Sequence, residues 1–105
     1  MLTCEFEWDD AKNQANYRKH GLSFEKASIA FEDPFCITYQ DRFENGEHRW
    51  QTLGLVDDTL IVLVAHLILE NEDDAVLKAE RIRIISARAA SPSERKRYDR
   101  ENRPI

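Results

Sequence analysis

The segment TLIVLVAHLILE, from Thr59 to Glu70, constrains the fold most, because most of its side chains are hydrophobic. Successive side chains of a β-strand point to opposite faces of the sheet, so a strand of this composition is buried on both faces. We therefore predict that it lies in the middle of a sheet with other elements packed on each side. The apolar run is interrupted by His66 and is too short to cross a membrane, which takes about 20 residues.

Sequence patterns on either side of this segment predict four further strands and three helices. Alternating hydrophobic residues favour strands, and polar dipeptides such as Asn45-Gly46 favour turns. Capping residues mark the helix starts: Asp9 precedes the first helix, and Ser91 forms a complete capping box with Pro92 and Glu94. The predicted strands are 2–8, 34–41, 48–56 and 80–88, and the predicted helices are 10–20, 23–33 and 91–102.

The order of these elements predicts the fold class. Helices come before and after a run of consecutive strands, whereas a parallel sheet would alternate strands with helices. We predict an α+β fold with an antiparallel sheet of four to five strands, two N-terminal helices and one C-terminal helix. The length of 105 residues favours a single domain over residues 1–105. The acidic segment 71–79 has no predicted form.

The charge of the chain is unevenly distributed. The net charge is −5, but residues 1–80 contain 7 basic and 17 acidic residues, whereas residues 81–105 contain 8 basic and 3 acidic ones. An acidic chain without a helix-turn-helix pattern disfavours a direct DNA-binding regulator. The basic C-terminal part can still form a local phosphate site, and an ordinary solvated helix is the alternative.

The predicted strand ERIRIISAR, residues 80–88, carries three arginines and the main functional signal. Under strict alternation, Arg81 and Arg83 lie on one face, and Ser86 and Arg88 lie on the other. One extra residue at the Ile84-Ile85 doublet would form a β-bulge and bring all four side chains to the same face. The sequence therefore suggests a bulge at this doublet.

Arginines on a sheet face are suited to phosphate, because the planar guanidinium group binds it bidentately and stays protonated. Arg49, on a neighbouring predicted strand, would add to such a cluster. The alternative is that these arginines pair with acidic side chains such as Glu47 or Glu80. Exposed ion pairs of that kind contribute only about 0–1 kcal/mol.

The histidines and cysteines give weaker signals. His20, His48 and His66 show no metal-ligand spacing, and no cofactor-binding motif is present, so neither a metal nor a cofactor is expected. His66 is either a hydrogen-bonded packing residue or a group that transfers protons near neutral pH. The two cysteines fit no CxxC pattern, and no signal peptide is visible, which favours reduced thiols in a cytoplasmic protein.

Four stretches of the chain together resemble the BrnT toxins of bacterial type II toxin–antitoxin modules. They are FEWDDAKNQANYRKHGLSFEKASIAFEDP, RWQTLG, VLVAH and RIRIISARAASPSERKRYDREN, and they run from about Phe6 to Asn102. The segment Leu67–Ala79 departs from the family, whose members usually have a shorter and more polar hairpin there. The resemblance implies a fold like that of the RelE and barnase-type ribonucleases.

The resemblance also implies an activity and partners. The activity is that of a metal-independent endoribonuclease that inhibits translation. The partners are an RNA substrate, a cognate BrnA-like antitoxin that could form a heterotetramer with the toxin, and operator DNA bound only through the antitoxin. A different class of function stays open, in which the chain is a non-catalytic adaptor whose basic part docks an acidic protein.

RNA cleavage through the 2′-hydroxyl needs positive charge around the phosphorane, and this stabilisation is usually the largest catalytic term. We therefore predict Arg49, Arg83 and Arg88 as phosphate ligands, Ser86 as an orienting hydroxyl and His66 as the proton-transfer group. Further substrate contacts are predicted at Lys19, His20, Arg81 and Trp50. Core packing is the alternative role for the tryptophan, and favourable interaction with the helix dipole is the alternative for Lys19 and His20.

Overall fold

A computed structural model describes residues 3–69 and 79–102 of the chain. The predicted acidic segment 71–79 lies outside the described residues, except for Ala79, which begins the last strand. The strands are β1 (Thr3–Glu7), β2 (Ile37–Glu44), β3 (Glu47–Leu55), β4 (Ile61–Leu69) and β5 (Ala79–Ala89). The helices are α1 (Asp10–His20), α2 (Phe24–Ala27) with a 3₁₀ continuation (Ser28–Glu32), and α3 (Pro92–Glu101).

The five strands form one sheet in the order β1-β5-β4-β3-β2, so the predicted α+β fold is confirmed. The predicted central position of the most hydrophobic strand is also confirmed, because β4 is the third of the five. The prediction of a wholly antiparallel sheet is wrong in one detail, since β1 runs parallel to β5. A hairpin would impose antiparallel pairing, but β1 and β5 are far apart in the chain, and α1, α2 and the 3₁₀ helix lead from β1 at one edge to β2 at the other.

The predicted helix caps and hairpin turn are confirmed, because interactions between residues close in sequence determine them. Asp9 caps α1 through its side chain, and Ser91 and Glu94 form the predicted capping box of α3. Asn45 and Gly46 have positive φ angles of 54° and 76° and form a two-residue hairpin between β2 and β3. This conformation is the one that an Asn-Gly dipeptide adopts readily.

The sheet has two faces, which we name by what lies on them. The helix face is covered by α2 and the 3₁₀ helix and holds the larger hydrophobic core: Phe24, Ala27, Ala30, Val62, Val64, Ile82, Ile84 and Ala87. The opposite face, the arginine face, is covered by α3 at one end, where Tyr98 packs with Leu53, Ile61 and Leu63. Both faces of β4 are therefore buried, as its composition predicts.

The predicted second helix tightens to a 3₁₀ helix after Ala27, and it packs directly on β3. A Cβ atom added to Gly54 would lie within 2.3 Å of the carbonyl oxygen of Ala30 and 2.8 Å of its Cβ. Glycine is thus required in β3 for the close approach of the 3₁₀ backbone. This contact sets the distance between the sheet and the helical layer.

Asn16 of α1 closes the part of β5 that has no neighbouring strand. Its Oδ1 accepts a hydrogen bond from the Ala87 N–H at 3.1 Å, and its Nδ2 donates to the Ala87 carbonyl at 2.8 Å. The same Nδ2 donates to the carbonyl of Leu22 at 2.9 Å. Asn16 is only 8% exposed, so α1 takes the place of a strand at this edge and supplies its hydrogen bonds.

We predict that Asn16→Ala lowers the free energy of unfolding by about 2–4 kcal/mol, because it leaves buried backbone groups of Ala87 and Leu22 without partners. Urea denaturation followed by circular dichroism measures this loss. The matched control is Gln14→Ala on the exposed side of the same helix, which we expect to change stability by less than about 0.5 kcal/mol. Equal stability of the two variants would refute the role of Asn16.

Candidate functional site

The β-bulge suggested by the sequence is present in β5. Ala65 of β4 is opposite Ser86, and the next residue, His66, is opposite Ile84, so Ile85 is the extra residue. The bulge changes the alternation of side chains along the strand. The predicted shared face is therefore confirmed. Four polar residues of β5 lie on the arginine face: Arg81, Arg83, Ser86 and Arg88. Each is opposite a β4 residue of that face, in the order Leu69, Leu67, Ala65 and Leu63.

Arg49 of β3 lies on the same face. Its neighbour Trp50 is opposite His66 on the helix face, and alternation turns Arg49 the other way. Given strand spacings of about 4.8 Å and a rise of about 3.3 Å per residue, Arg49, Arg83 and Arg88 mark out an area of about 10 Å by 13 Å. They share a surface and occupy separate positions on it.

Glu7 of β1 binds two of these arginines. Its Oε1 accepts a hydrogen bond from Arg81 Nη2 at 2.8 Å, and its Oε2 accepts from Arg83 Nε at 3.0 Å and Nη2 at 2.7 Å. These hydrogen bonds, from Arg83 first and then Arg81, hold the pKa of Glu7 below its usual value. A single carboxylate thus bridges two guanidinium groups on an open surface.

Glu94 of α3 binds the third arginine of β5. Arg88 donates from Nη1 and Nη2 to the two carboxylate oxygens, at 2.8 and 3.0 Å. The Ser91 N–H donates to the same carboxylate at 2.8 Å and closes the capping box. The hydrogen bonds from Arg88 lower the pKa of Glu94, and those to Glu94 raise the pKa of Arg88.

The observed ion pairs of the arginines differ from those expected from the sequence. Pairing of the arginines with carboxylates does occur, but the expected partners, Glu47 and Glu80, are wrong. The partner Glu7 lies 74 and 76 residues from the two arginines it binds, and only the parallel pairing of β1 with β5 brings them together. Glu94 is recognisable in the sequence as a helix-capping residue, and nothing in that pattern indicates its second role.

Arg49 is the least engaged guanidinium of the set. Its side chain is 23% exposed, and its Nε lies 3.6 Å from Glu44 Oε2, too far for a hydrogen bond. This Nε is buried and has no hydrogen-bond partner within the part of the chain that the structure describes. A buried donor without a partner is costly, so the Arg49 guanidinium is suited to donate a hydrogen bond to an oxygen atom of a ligand.

A further cation, which the sequence analysis missed, comes from α3. The guanidinium carbon of Arg97 lies 3.9 Å from the ring centre of Tyr39, a cation–π contact on the arginine face. Such a contact holds a long side chain in place at little cost. Arg97 extends the row of cations from β5 and β3 towards β2.

His66 lies on the helix face and is separated from the arginines by the sheet itself. It is 1% exposed, its Nε2 lies 2.8 Å from Thr52 Oγ1, and its ring packs edge-on against Phe31. Burial lowers its pKa from 6.5 to about 4. The structure therefore does not bring His66 together with the other predicted catalytic residues, and the ring is neutral at pH 7.

The remaining predicted site residues lie at three different places in the structure. Ser86 is exposed between Arg83 and Arg88. Lys19 and His20 are exposed at the end of α1, and within residues 3–69 and 79–102 they make no ion pair or hydrogen bond to the arginine face. Trp50 lies on the helix face, where it lines a depression of about 450 Å³ with His48 and Ile68.

The described ranges contain neither a metal-binding cluster nor a membrane-spanning helix. No group of three or more His, Cys, Asp or Glu side chains is placed there to hold a metal ion. None of the helices in those ranges has both the length and the apolar character needed to cross a membrane.

A family model and a solved structure are similar to this chain. A family model described as a ribonuclease toxin, BrnT, of type II toxin–antitoxin systems matches residues 8–94. The fold is similar to the crystal structure of the Brucella abortus ribonuclease toxin BrnT, with a TM-score of 0.53 and 22% sequence identity. The similarity covers 87% of this chain and 97% of the Brucella chain. No curated protein matches the sequence.

The buried histidine predicts a pH dependence of stability. Unfolding raises the pKa of His66 from about 4 to 6.5, so the unfolded state binds a proton that the native state excludes, and stability falls as the pH drops below 6.5. Between pH 7 and pH 5 we expect a loss of about 2 kcal/mol from this residue. Urea midpoints of the wild type and of His66→Gln over this range measure it.

The glutamine side chain keeps a hydrogen-bonding group for Thr52 and does not titrate, so the variant should lack this part of the slope. The control is His20→Gln, which removes an exposed histidine and tests whether the effect is specific to the buried one. If His66→Gln shows the same pH dependence as the wild type, the neutral buried state of His66 is wrong.

Proposed function

Because the chain belongs to the family of BrnT ribonuclease toxins of type II toxin–antitoxin systems, we propose that it is a metal-independent endoribonuclease that inhibits translation. In this proposal the 2′-hydroxyl group of the substrate attacks the adjacent phosphorus, and the bond from phosphorus to the 5′-oxygen breaks. The products are a 2′,3′-cyclic phosphate and a free 5′-hydroxyl end; the proton of the 2′-hydroxyl passes to water, and the leaving 5′-oxygen takes a proton from water. The protein contributes mainly the stabilisation of the negative charge on the phosphorane.

The observation that carries this proposal is the common face of Arg49, Arg83 and Arg88, which results from the bulge at Ile85. We assign phosphate contacts to these three arginines, with Arg49 the first because its Nε has no hydrogen-bond partner within the described residues. Arg81 lies beside Arg83 and contacts the RNA backbone together with it. Ser86, exposed between two of the arginines, orients the substrate through its hydroxyl group.

The other residues predicted from the sequence receive different roles in this proposal. We assign His66 a packing role, since its ring is buried on the helix face and neutral at pH 7. Trp50 lies on the helix face, and Lys19 and His20 make no hydrogen bond or ion pair to the arginine face within residues 3–69 and 79–102. We therefore assign these three residues no contact with the reacting phosphate. The proposal therefore rests on charge stabilisation and needs no histidine.

The test is cleavage of a labelled RNA by the purified chain in EDTA. We expect the wild type to cut the RNA and Arg88→Ala to reduce the rate by about 100-fold or more, the usual effect of removing one charge-stabilising donor. Arg49→Ala should behave similarly. A substrate with a 2′-deoxy residue at the cleavage position should resist cutting.

Arg18→Ala is the matched control, because it removes an exposed arginine from α1 and should leave the rate within about twofold of the wild type. Circular dichroism of each variant separates loss of activity from loss of folding. Full activity of Arg88→Ala would reject its assignment, and activity that disappears in EDTA and returns with a divalent cation would reject metal independence.

The adaptor alternative predicts no cleavage and no growth arrest. Expression of the chain in bacteria, alone and together with its neighbouring open reading frame, separates the two functions. A toxin arrests growth, the neighbouring product relieves the arrest, and Arg88→Ala abolishes it. A chain that leaves growth unaffected would favour the adaptor.

The family implies an antitoxin partner, and we propose that a BrnA-like antitoxin silences this cytoplasmic toxin by covering the arginine face. Two copies of each protein would form a heterotetramer, and operator DNA would bind through the antitoxin. We predict that an acidic or aromatic segment of the antitoxin lies across Arg49, Arg83 and Arg88, because these side chains bind anions and stack on rings. A structure of the complex that leaves them open to solvent would contradict this.

A further inference from the structure

Arg81 and Arg83 already form an anion-binding site, and its occupant is a side chain of the protein itself. Three guanidinium N–H groups from the two arginines converge on the two oxygens of Glu7, at 2.7 to 3.0 Å. A phosphate group presents oxygens to arginine in the same bidentate manner. The site lies on the surface, where the side chains of Arg81, Arg83 and Glu7 are 41%, 55% and 32% exposed.

In the described part of the chain, Glu7 has no second interaction that would hold its carboxylate on the two arginines. Within residues 3–69 and 79–102, its side chain makes hydrogen bonds only to these two arginines. Glu94 differs, because it binds Arg88 and also caps α3 through the Ser91 N–H. Ion pairs as exposed as that of Glu7 contribute little to stability, so an incoming anion can displace this carboxylate without disturbing the fold.

We propose that Glu7 is an internal competitor for a phosphate-binding site formed by Arg81 and Arg83, and that the RNA backbone enters this site only by displacing Glu7. The RNA part of this inference rests on the proposed function. The two arginines carry two positive charges, and the carboxylate removes one of them. Glu7 thus lowers the affinity of the free toxin for RNA and for other anions.

The experiment compares Glu7→Gln with Glu5→Gln. Both substitutions remove one negative charge from the same face of β1, since Glu5 and Glu7 are opposite Arg81 and Arg83. Glu5 is exposed and forms no ion pair within the described part of the chain, so it controls for the change in net charge. Each purified chain is titrated with a labelled 2′-O-methyl RNA oligonucleotide, which cannot be cleaved, and separately with pyrophosphate.

We expect Glu7→Gln to bind both probes about three- to tenfold more tightly than Glu5→Gln at low salt. The slope of log affinity against log salt concentration should steepen by about 0.7 for each additional phosphate contact on single-stranded RNA. Adding Arg83→Ala to Glu7→Gln should remove the gain. The urea midpoint of Glu7→Gln should stay close to that of the wild type.

Equal or weaker pyrophosphate binding by Glu7→Gln relative to Glu5→Gln would overturn the inference, whatever the RNA results. A gain for pyrophosphate, with no RNA binding by any variant, would instead support the anion site and overturn the proposed ribonuclease function. A gain for both probes that persists after Arg83→Ala would overturn the assignment of the site to the arginine pair.

Discussion

The single extra residue at Ile85 is the feature on which the arrangement of this molecule depends. Without it, strict alternation would turn Arg88 towards the helix face and Ala87 away from that face. With it, Ala87 packs in the core at 1% exposure, and its N–H and carbonyl both hydrogen-bond the side-chain amide of Asn16. Arg88 then lies on the arginine face. The same bulge therefore completes the hydrophobic core and assembles the row of cations, so a change that straightened β5 would affect both.

The sequence predicts the fold well where short-range interactions decide it. Helix capping at Asp9 and Ser91, the Asn45-Gly46 hairpin and the doublet that marks the bulge involve groups only a few residues apart. The parallel pairing of β1 with β5 joins residues separated by more than 70 positions, and no local pattern encodes it. The tightening of the second helix is similarly a response to the close approach of Ala30 and Gly54.

The candidate site could be predicted only in part, for the same reason. The arginines and their shared face follow from one strand, whereas their carboxylate partners come from β1 and α3. The position of His66 depends on which face of β4 the helices cover, and a strand that is hydrophobic on both sides does not reveal this. Its neutral, buried state likewise results from Thr52 and Phe31, which belong to other elements.

The carboxylate of Glu94 binds Arg88 and also accepts the hydrogen bond from the Ser91 N–H that caps α3. The orientation of Arg88 and the start of the helix are therefore coupled. An anion that binds Arg88 in place of Glu94 leaves the Glu94 carboxylate bonded only to the helix cap. The stability of the first turn of α3 then changes. Thermodynamic reciprocity then requires the opposite effect, in which a protein that clamps α3 alters the affinity of Arg88 for anions. A partner can thus regulate this arginine by binding a helix, without touching the arginine itself.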